Sequence, residues 1–163
     1  SHELENYQNI QLDHYIITPL PLSHDATSPL VCNQRKDETI LYMTDTGYVS
    51  QKNMEYIKNL DYYIFESNHD IEMLMNTRRP LFLKNRIFGD KGHLNNEYSA
   101  HVMAQVIGEN TKEICLAHLS QEANTKEMAL DTYQRVFDEE HIYFDNIKIA
   151  DQKEIVSGGH YEN

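Results

Sequence analysis

Short apolar strands alternate with helix-like segments along this chain, and that alternation constrains its fold more than any other feature. Strands are predicted at residues 14–18, 39–43, 61–65, 114–117 and 141–149. The segment Ile114–Ala117 is apolar throughout, which is typical of a strand buried on both faces of a parallel sheet. Because helices are expected between the strands, the sequence predicts an α/β fold.

The predicted helices carry recognisable end signals. They are expected after a cap at Ser50, across residues 69–88 with a break at Pro80, after Asn95 or Asn96, and from a capping box at Asn124 and Glu127 to about Phe137. Residues 23–37 are predicted to form a polar loop, and residues 157–163 a loose tail.

Length and composition suit one domain. With 163 residues, 40% of them hydrophobic, residues 1–163 are interpreted as a single domain whose Ser1-His2 start reads as a tag remnant. No apolar run approaches the ~20 residues that span a bilayer, so no membrane partner is expected. Cys32 and Cys115 lie far apart in sequence, which favours a reduced, cytoplasmic location over a disulfide scaffold.

The charge is strongly acidic overall but contains one basic run. A net charge of −12 argues against a broad basic footprint for nucleic acid. Five basic residues nevertheless fall within one short segment: Arg78, Arg79, Lys84, Arg86 and Lys91. The common explanation of such a run is a solvated helical surface, and the alternative is a local phosphate-binding face beside an active site.

Histidines follow several of the predicted strands. Four of the nine lie in polar, turn-like settings, namely His24, His69, His93 and His118, and Asp45 follows another strand. Each one alone is more often a surface or hydrogen-bonded histidine than a metal ligand. Together they indicate a His/Asp metal site, and imidazole with carboxylate suits zinc, manganese or iron.

The order of these segments resembles a known superfamily. The motif Ser-His-Asp contains His24. The motif Thr-Asp-Thr-Gly contains Asp45, 21 positions after His24, and the motif Leu-Ala-His-Leu-Ser contains His118, 73 positions after Asp45. This order is similar to the later metal motifs of the metallo-β-lactamase superfamily. The segments Glu66–Asp70 and Gly92–Asn96 narrow the resemblance to the YycJ (WalJ) family, with a more distant similarity to tRNase Z. The resemblance covers roughly residues 14–150 and implies the C-terminal portion of an αββα sandwich.

The resemblance also implies roles for individual residues. His24 would be the third histidine of a first metal site, Asp45 would bridge two metals and take part in catalysis, and His118 would bind the second metal. The cofactors implied are two divalent ions, zinc or manganese, which can activate water and hold the oxygens of a phosphodiester.

Two further residues would form an acid/base pair beside the metals. Glu66 and His93 match positions that form such a pair in the tRNase Z relatives, and a carboxylate can fix the tautomer of a proton-donating imidazole. His69 would orient the glutamate or contact a phosphate. In the phosphate-binding interpretation, Arg78, Arg79, Lys84 and Arg86 would contact the substrate.

The superfamily's His-x-His-x-Asp-His motif is absent, because no two histidines here are separated by one residue. In the family this motif lies upstream and supplies two ligands to each metal. The resemblance implies a 5′→3′ DNA exonuclease linked to mismatch repair and to the cell-wall regulatory operon, and this fragment is expected to be inactive alone, with one metal or none.

Two alternatives of other kinds stay open. The chain could be a non-catalytic interaction module that self-associates through an open sheet edge or pairs with the missing N-terminal portion. It could also belong to a small-molecule hydrolase of the same fold, such as a thioesterase or lactonase.

Overall fold

The computed structural model describes residues 10–12, 15–19, 30–34, 38–43, 49–78, 80 and 92–150, the first three stretches by their backbone alone. Within these residues seven strands form one sheet, and strands that are neighbours in sequence are also neighbours in the sheet. The strands are β1 Ile10–Leu12, β2 Tyr15–Pro19, β3 Leu30–Gln34, β4 Thr39–Met43, β5 Tyr62–Glu66, β6 Glu113–Ala117 and β7 Ile147–Ile149.

The sheet has an antiparallel half and a parallel half. Strands β1 to β4 pair antiparallel, and β4 to β7 pair parallel. The helices lie between strands of the parallel half: α1 Gln51–Tyr56, α2 Ile71–Met75, α3 Asn96–Val106 and α4 Lys126–Glu139. This arrangement confirms the predicted α/β class, since parallel strands need crossover connections and helices supply them.

One face of the parallel strands packs against the helices. Alternate residues of β4, β5 and β6 are at most 1% exposed, namely Leu41, Met43, Tyr63, Phe65, Ile114 and Leu116. From α3 and α4 the same core receives Ala100, Met103, Ala129, Tyr133 and Phe137. Each large apolar side chain buried in this way stabilises the fold by roughly 1.5–3 kcal/mol. As predicted, every residue of β6 is buried.

Several predicted boundaries are confirmed by the hydrogen bonds at the helix ends. Ser50 caps α1 through its hydroxyl, which accepts from the backbone N–H of Asn53 at 3.1 Å. Of the two residues proposed as cap for α3, Asn95 has the role, accepting from the N–H of Tyr98 at 2.8 Å. The predicted strand over residues 39–43 is β4 itself.

The predicted capping box at Asn124 is wrong. Thr125 caps α4 by accepting from the N–H of Met128 at 3.0 Å. Asn124 is instead 4% exposed and directs its amide toward the loop after β5. Both residue types can cap a helix, and a buried set of hydrogen-bond partners decides which of the two does so.

Three other segments also differ from expectation. Residues 23–37 are not wholly loop, because β3 pairs there with β2 and β4, and pairing on both sides outweighs the polar composition. Within the described part of 69–88, helix covers only Ile71–Met75, and the Thr77 hydroxyl donates to the carbonyl of Leu74 at 2.8 Å where the helix ends.

The last predicted strand, 141–149, is reduced to Ile147–Ile149 because the chain first turns at the end of α4. His141 adopts a left-handed conformation with φ 59°, and the N–H of Ile142 donates to the carbonyl of Phe137 at 2.8 Å. The N–H of His141 also donates to the carbonyl of Asp138. These two bonds form a Schellman motif, which occupies the residues expected to begin the strand.

Candidate catalytic and metal site

The parallel register brings two chemical groups to one edge of the sheet. Glu66 is the last residue of β5 and lies opposite Ala117, the last residue of β6. His118 therefore follows β6 at the same carboxyl edge at which β5 ends. In α/β sheets this edge is where ligand sites form.

The backbone of His118 is unusual. Its φ of 62° is left-handed, a region that few residues other than glycine adopt. In this conformation Nδ1 of His118 lies 3.3 Å from Oε2 of Glu66, and the histidine side chain is 44% exposed. A left-handed conformation costs energy for a residue other than glycine, so the contacts around His118 must hold its backbone in place.

His93 reaches the same carboxylate from the loop before α3. Its Nδ1 lies 2.6 Å from Oε2 of Glu66, and its ring centroid is 6.0 Å from that of His118. The neighbouring Leu94 is fully buried, and its carbonyl accepts from the N–H of Asn68 at 2.8 Å. His93 is thus anchored through the core and through the loop that follows β5.

The Glu66 carboxyl group is fully buried and is ionised in this setting. Burial alone raises the pKa of Glu66, but hydrogen bonds from His118 and His93 and the attraction of the two imidazoles hold that pKa below its usual value. A carboxylate accepts only, so Nδ1 of each ring carries the hydrogen. In its neutral form, an imidazole of this kind presents the lone pair of Nε2, the atom that a base or a metal ligand uses.

This donor set fits a divalent cation. Glu66, His93 and His118 can each offer one ligand atom, and these atoms lie within 4.8 Å of one another. Histidine that donates one ring N–H to a carboxylate and binds metal through the other nitrogen is a common arrangement. The 2.6 Å contact between His93 and Glu66 is a direct hydrogen bond, so in this arrangement the Glu66 carboxylate orients the imidazole rings.

A buried network of amides and hydroxyls lies beneath the three residues. Asn96 and Asn124 exchange two hydrogen bonds of 2.9 Å, and Asn124 also donates to the carbonyls of Ser67 and Asn68 at 3.0 and 3.1 Å. The Ser67 hydroxyl donates to Oδ1 of Asn96 at 2.6 Å. Sequence reasoning missed this network, because Asn96 and Asn124 were both considered as helix caps and nothing in the sequence indicated that they contact each other.

The predicted site residues are only partly described. His24, Asp45, Arg79, Lys84 and Arg86 lie outside the described residues, as does Lys91. The convergence of His24 and Asp45 with His118 therefore stays a prediction. Among the described residues, the structure brings together Glu66, His93 and His118, and sequence reasoning had not expected a contact between His118 and Glu66.

Two predicted phosphate contacts can be placed. Arg78 is exposed just beyond α2, where a solvent-borne anion can approach it. His69 is 1% exposed, with Nδ1 3.1 Å from Oδ1 of Asn68, and its carbonyl accepts from the N–H of Asn96 at 2.8 Å. Burial weighs against a phosphate contact by His69, because almost none of the residue is reachable from solvent.

Comparison with curated proteins gives relatives of one kind. The chain is 45% identical over 122 residues to the exodeoxyribonuclease YycJ of Bacillus anthracis, which is 72% of this chain and 45% of that protein. It is 44% identical over 109 residues to the exodeoxyribonuclease WalJ of Streptococcus pneumoniae, which is 66% of this chain and 40% of that protein. The chain thus spans less than half the length of these relatives, and no family model matches it.

Solved structures share the fold at low identity. The metallo-β-lactamase fold protein YhfI of Bacillus subtilis matches 90% of this chain and 51% of its own, with a TM-score of 0.64 and 17% identity. Zn²⁺-bound PqqB of Methylobacterium extorquens matches 90% of this chain and 48% of its own, with a TM-score of 0.56 and 12% identity. The predicted metallo-β-lactamase fold is confirmed. Within the described residues, all helices are too short or too polar to cross a membrane.

Proposed function

Proceeding from this chain's similarity to the YycJ (WalJ) exodeoxyribonucleases and from its metallo-β-lactamase fold, we propose that it forms part of a metal-dependent 5′→3′ DNA exonuclease. A cytoplasmic location and a role in DNA repair belong to the same proposal. The observation that carries it is the Glu66–His93 contact, because a buried carboxylate that orients an imidazole is an arrangement by which a histidine can act as general acid on a leaving oxygen.

In this proposal His93 holds the transferable proton. Glu66 accepts the hydrogen on Nδ1 and stabilises the protonated imidazolium of His93, whose Nε2–H is the proton delivered to the leaving oxygen of the cleaved bond. Glu66 is fully buried while the His93 side chain is 32% exposed, so the imidazole faces substrate and the carboxylate only orients it. His118 binds a metal through Nε2, and His24 and Asp45 complete the ligands that this chain contributes.

The metals are proposed to be a pair of zinc or manganese ions. When bound, such a pair supplies activated water and neutralises charge on the phosphodiester oxygens. Three ligand residues shared between two metals make a weak site, since first-shell sets of three or four protein ligands are usual for each ion. The 163-residue chain alone is therefore proposed to bind metal weakly and to hydrolyse DNA little, and to need a His-x-His-x-Asp-His segment, which lies upstream in the family that it resembles.

The proposal is tested in two stages. The sequence encoded before Ser1 is read first, and a His-x-His-x-Asp-His motif there is the expected result. The protein with those residues, and the 163-residue chain alone, are then given duplex DNA labelled at either the 5′ or the 3′ end, with zinc or manganese. We expect early release of the 5′ label as mononucleotide by the longer protein only.

Different outcomes separate the alternatives. A tight two-metal stoichiometry for the 163-residue chain in calorimetry would contradict the expected weak binding. Hydrolysis of thioesters or lactones with DNA left intact would favour the small-molecule hydrolase. Normal DNA turnover by a His93→Gln variant would remove the acid/base pair from the mechanism.

A further inference from the structure

The loop after β5 places one asparagine between the elements that carry the site. The backbone N–H of Asn68 donates to the carbonyl of Leu94 at 2.8 Å, which connects it to the loop of His93. Its carbonyl accepts from the N–H of Ser120 at 2.7 Å, which connects it to the loop of His118. Asn68 is thus joined by its backbone to both histidine-bearing loops.

The Asn68 side chain makes a different and more specific contact. Its Nδ2 donates to the carbonyl of His118 at 2.8 Å, and its Oδ1 lies 3.1 Å from Nδ1 of His69. The opposite amide orientation would place Oδ1 against the His118 carbonyl, where two acceptors repel each other. The Asn68 side chain therefore binds the backbone carbonyl of His118, the site residue whose φ is 62°.

We propose that Asn68 is a positioning residue, whose amide holds His118 in the left-handed conformation that brings its Nδ1 within 3.3 Å of Glu66. Without that bond the backbone of His118 relaxes toward ordinary φ values, which non-glycine residues prefer. The imidazole then loses its contact with Glu66 and its fixed tautomer. His93 is unaffected, because it is held through the Leu94 carbonyl and the backbone of Asn68.

The chain offers a matched control at the opposite end of β6. Asn146 donates through Nδ2 to the carbonyl of Lys112 at 2.7 Å, just before β6 begins, whereas His118 comes just after β6 ends. Both bonds join an asparagine amide to a backbone carbonyl, and the two carbonyls are separated by the five-residue strand β6, a distance of roughly 20 Å. Asn68→Asp and Asn146→Asp therefore change the same kind of bond and the same charge at opposite ends of β6.

The experiment uses the metal-free 163-residue chain, labelled with ¹⁵N in its histidine rings, at about pH 8.5, roughly two units above the pKa of a free imidazole. Ring spectra distinguish the tautomer with hydrogen on Nδ1 from that with hydrogen on Nε2. His118→Gln and His93→Gln assign the two signals. Wild type and Asn146→Asp are expected to show both histidines with hydrogen on Nδ1. In Asn68→Asp and in the uncharged Asn68→Ala, His118 is expected to convert to a tautomer mixture while His93 keeps its signal.

Three results would overturn the proposal. His118 could keep its tautomer in both Asn68 variants, which would make Asn68 an ordinary structural residue. Both histidines could lose their signature together, which would show general loosening of the edge. Asn146→Asp could disturb His118 as strongly as Asn68→Asp does. The inference rests on the proposed function only for naming what His118 binds: the tautomer is measured without metal or DNA, so an inactive protein leaves this result standing.

Discussion

Truncation of Asn124 is expected to be among the most destabilising changes in the polar part of the core. Its side chain is 4% exposed and bonds to the carbonyls of Ser67 and Asn68, to the amide of Asn96 and to the N–H of Thr125. Asn124→Ala removes all of these bonds at once. It leaves their partners in a place that water reaches poorly.

The magnitude follows from how many groups lose their bond. The Asn68 carbonyl keeps its bond from Ser120, so the main losses are the Ser67 carbonyl and Nδ2 of Asn96. A buried group left without its bond costs about 1–3 kcal/mol, which gives about 2–6 kcal/mol for the two. That is a large part of the 5–15 kcal/mol by which a domain is typically stable.

Urea unfolding followed by circular dichroism measures this loss as a change in the free energy of unfolding. The control is Asn146→Ala, which removes one exposed amide bond to the Lys112 carbonyl and is expected to cost at most about 1 kcal/mol. A loss below about 1 kcal/mol for Asn124→Ala, or a loss equal to that of the control, would refute the reasoning. Either result would mean that water or a shifted side chain replaces the amide.

Three further predictions concern the site and the buried titratable groups. In the active protein His93→Ala should lower turnover by about 10²–10⁴-fold and leave bound metal intact, with Glu66→Gln milder, as measured by steady-state kinetics and metal analysis; loss of metal would place His93 in the coordination shell. Burial raises the pKa of Cys115 to about 11, so native Cys115 should react with iodoacetamide far more slowly than in urea, read by peptide mass spectrometry; equal rates would contradict its burial. Burial raises the pKa of Tyr63 to about 12 from 10.0. The neutral phenol should therefore contribute fully to the free energy of unfolding below pH 10, and this free energy should fall by about 1.4 kcal/mol per pH unit between pH 10 and pH 12. Phenolate absorbance and unfolding curves at alkaline pH test this, and ionisation of Tyr63 in the native chain near pH 10 would disprove it.

The parallel half of the fold could be predicted because its signals are local. The apolar runs that became β4, β5 and β6 bury alternate or all side chains, and Ser50 and Asn95 cap their helices as their residue types indicate. Strand β3 could not be predicted in the same way, because pairing with two neighbours fixes it more than its own composition does. Residues 141–146 were misassigned because a helix-ending turn competes with a strand for the same residues.

The candidate site was predictable to a different degree. Glu66 and His93 were paired through a family resemblance, and a hydrogen bond now joins them. The contact of His118 with Glu66 was missed, because it depends on a left-handed backbone conformation that a histidine at this position does not indicate. Histidine is more tolerant of this conformation than most residues, but tolerance is far too weak a signal to predict it.

The buried amides connect the stability of the chain to the geometry of its site. Asn96 begins α3, Asn124 precedes α4, and Ser67 and Asn68 follow β5, so one network joins three loops that lie 28 to 57 residues apart in sequence. One of these loops directly follows Glu66 and another carries His93, and the Asn68 amide extends the network to His118. Ser67, Asn96 and Asn124 are buried from water, so a shift of one loop would leave polar groups of the other loops without hydrogen-bond partners. The loops therefore keep one arrangement. Asn124→Ala should therefore loosen all three loops together, whereas Asn68→Ala should release His118 alone.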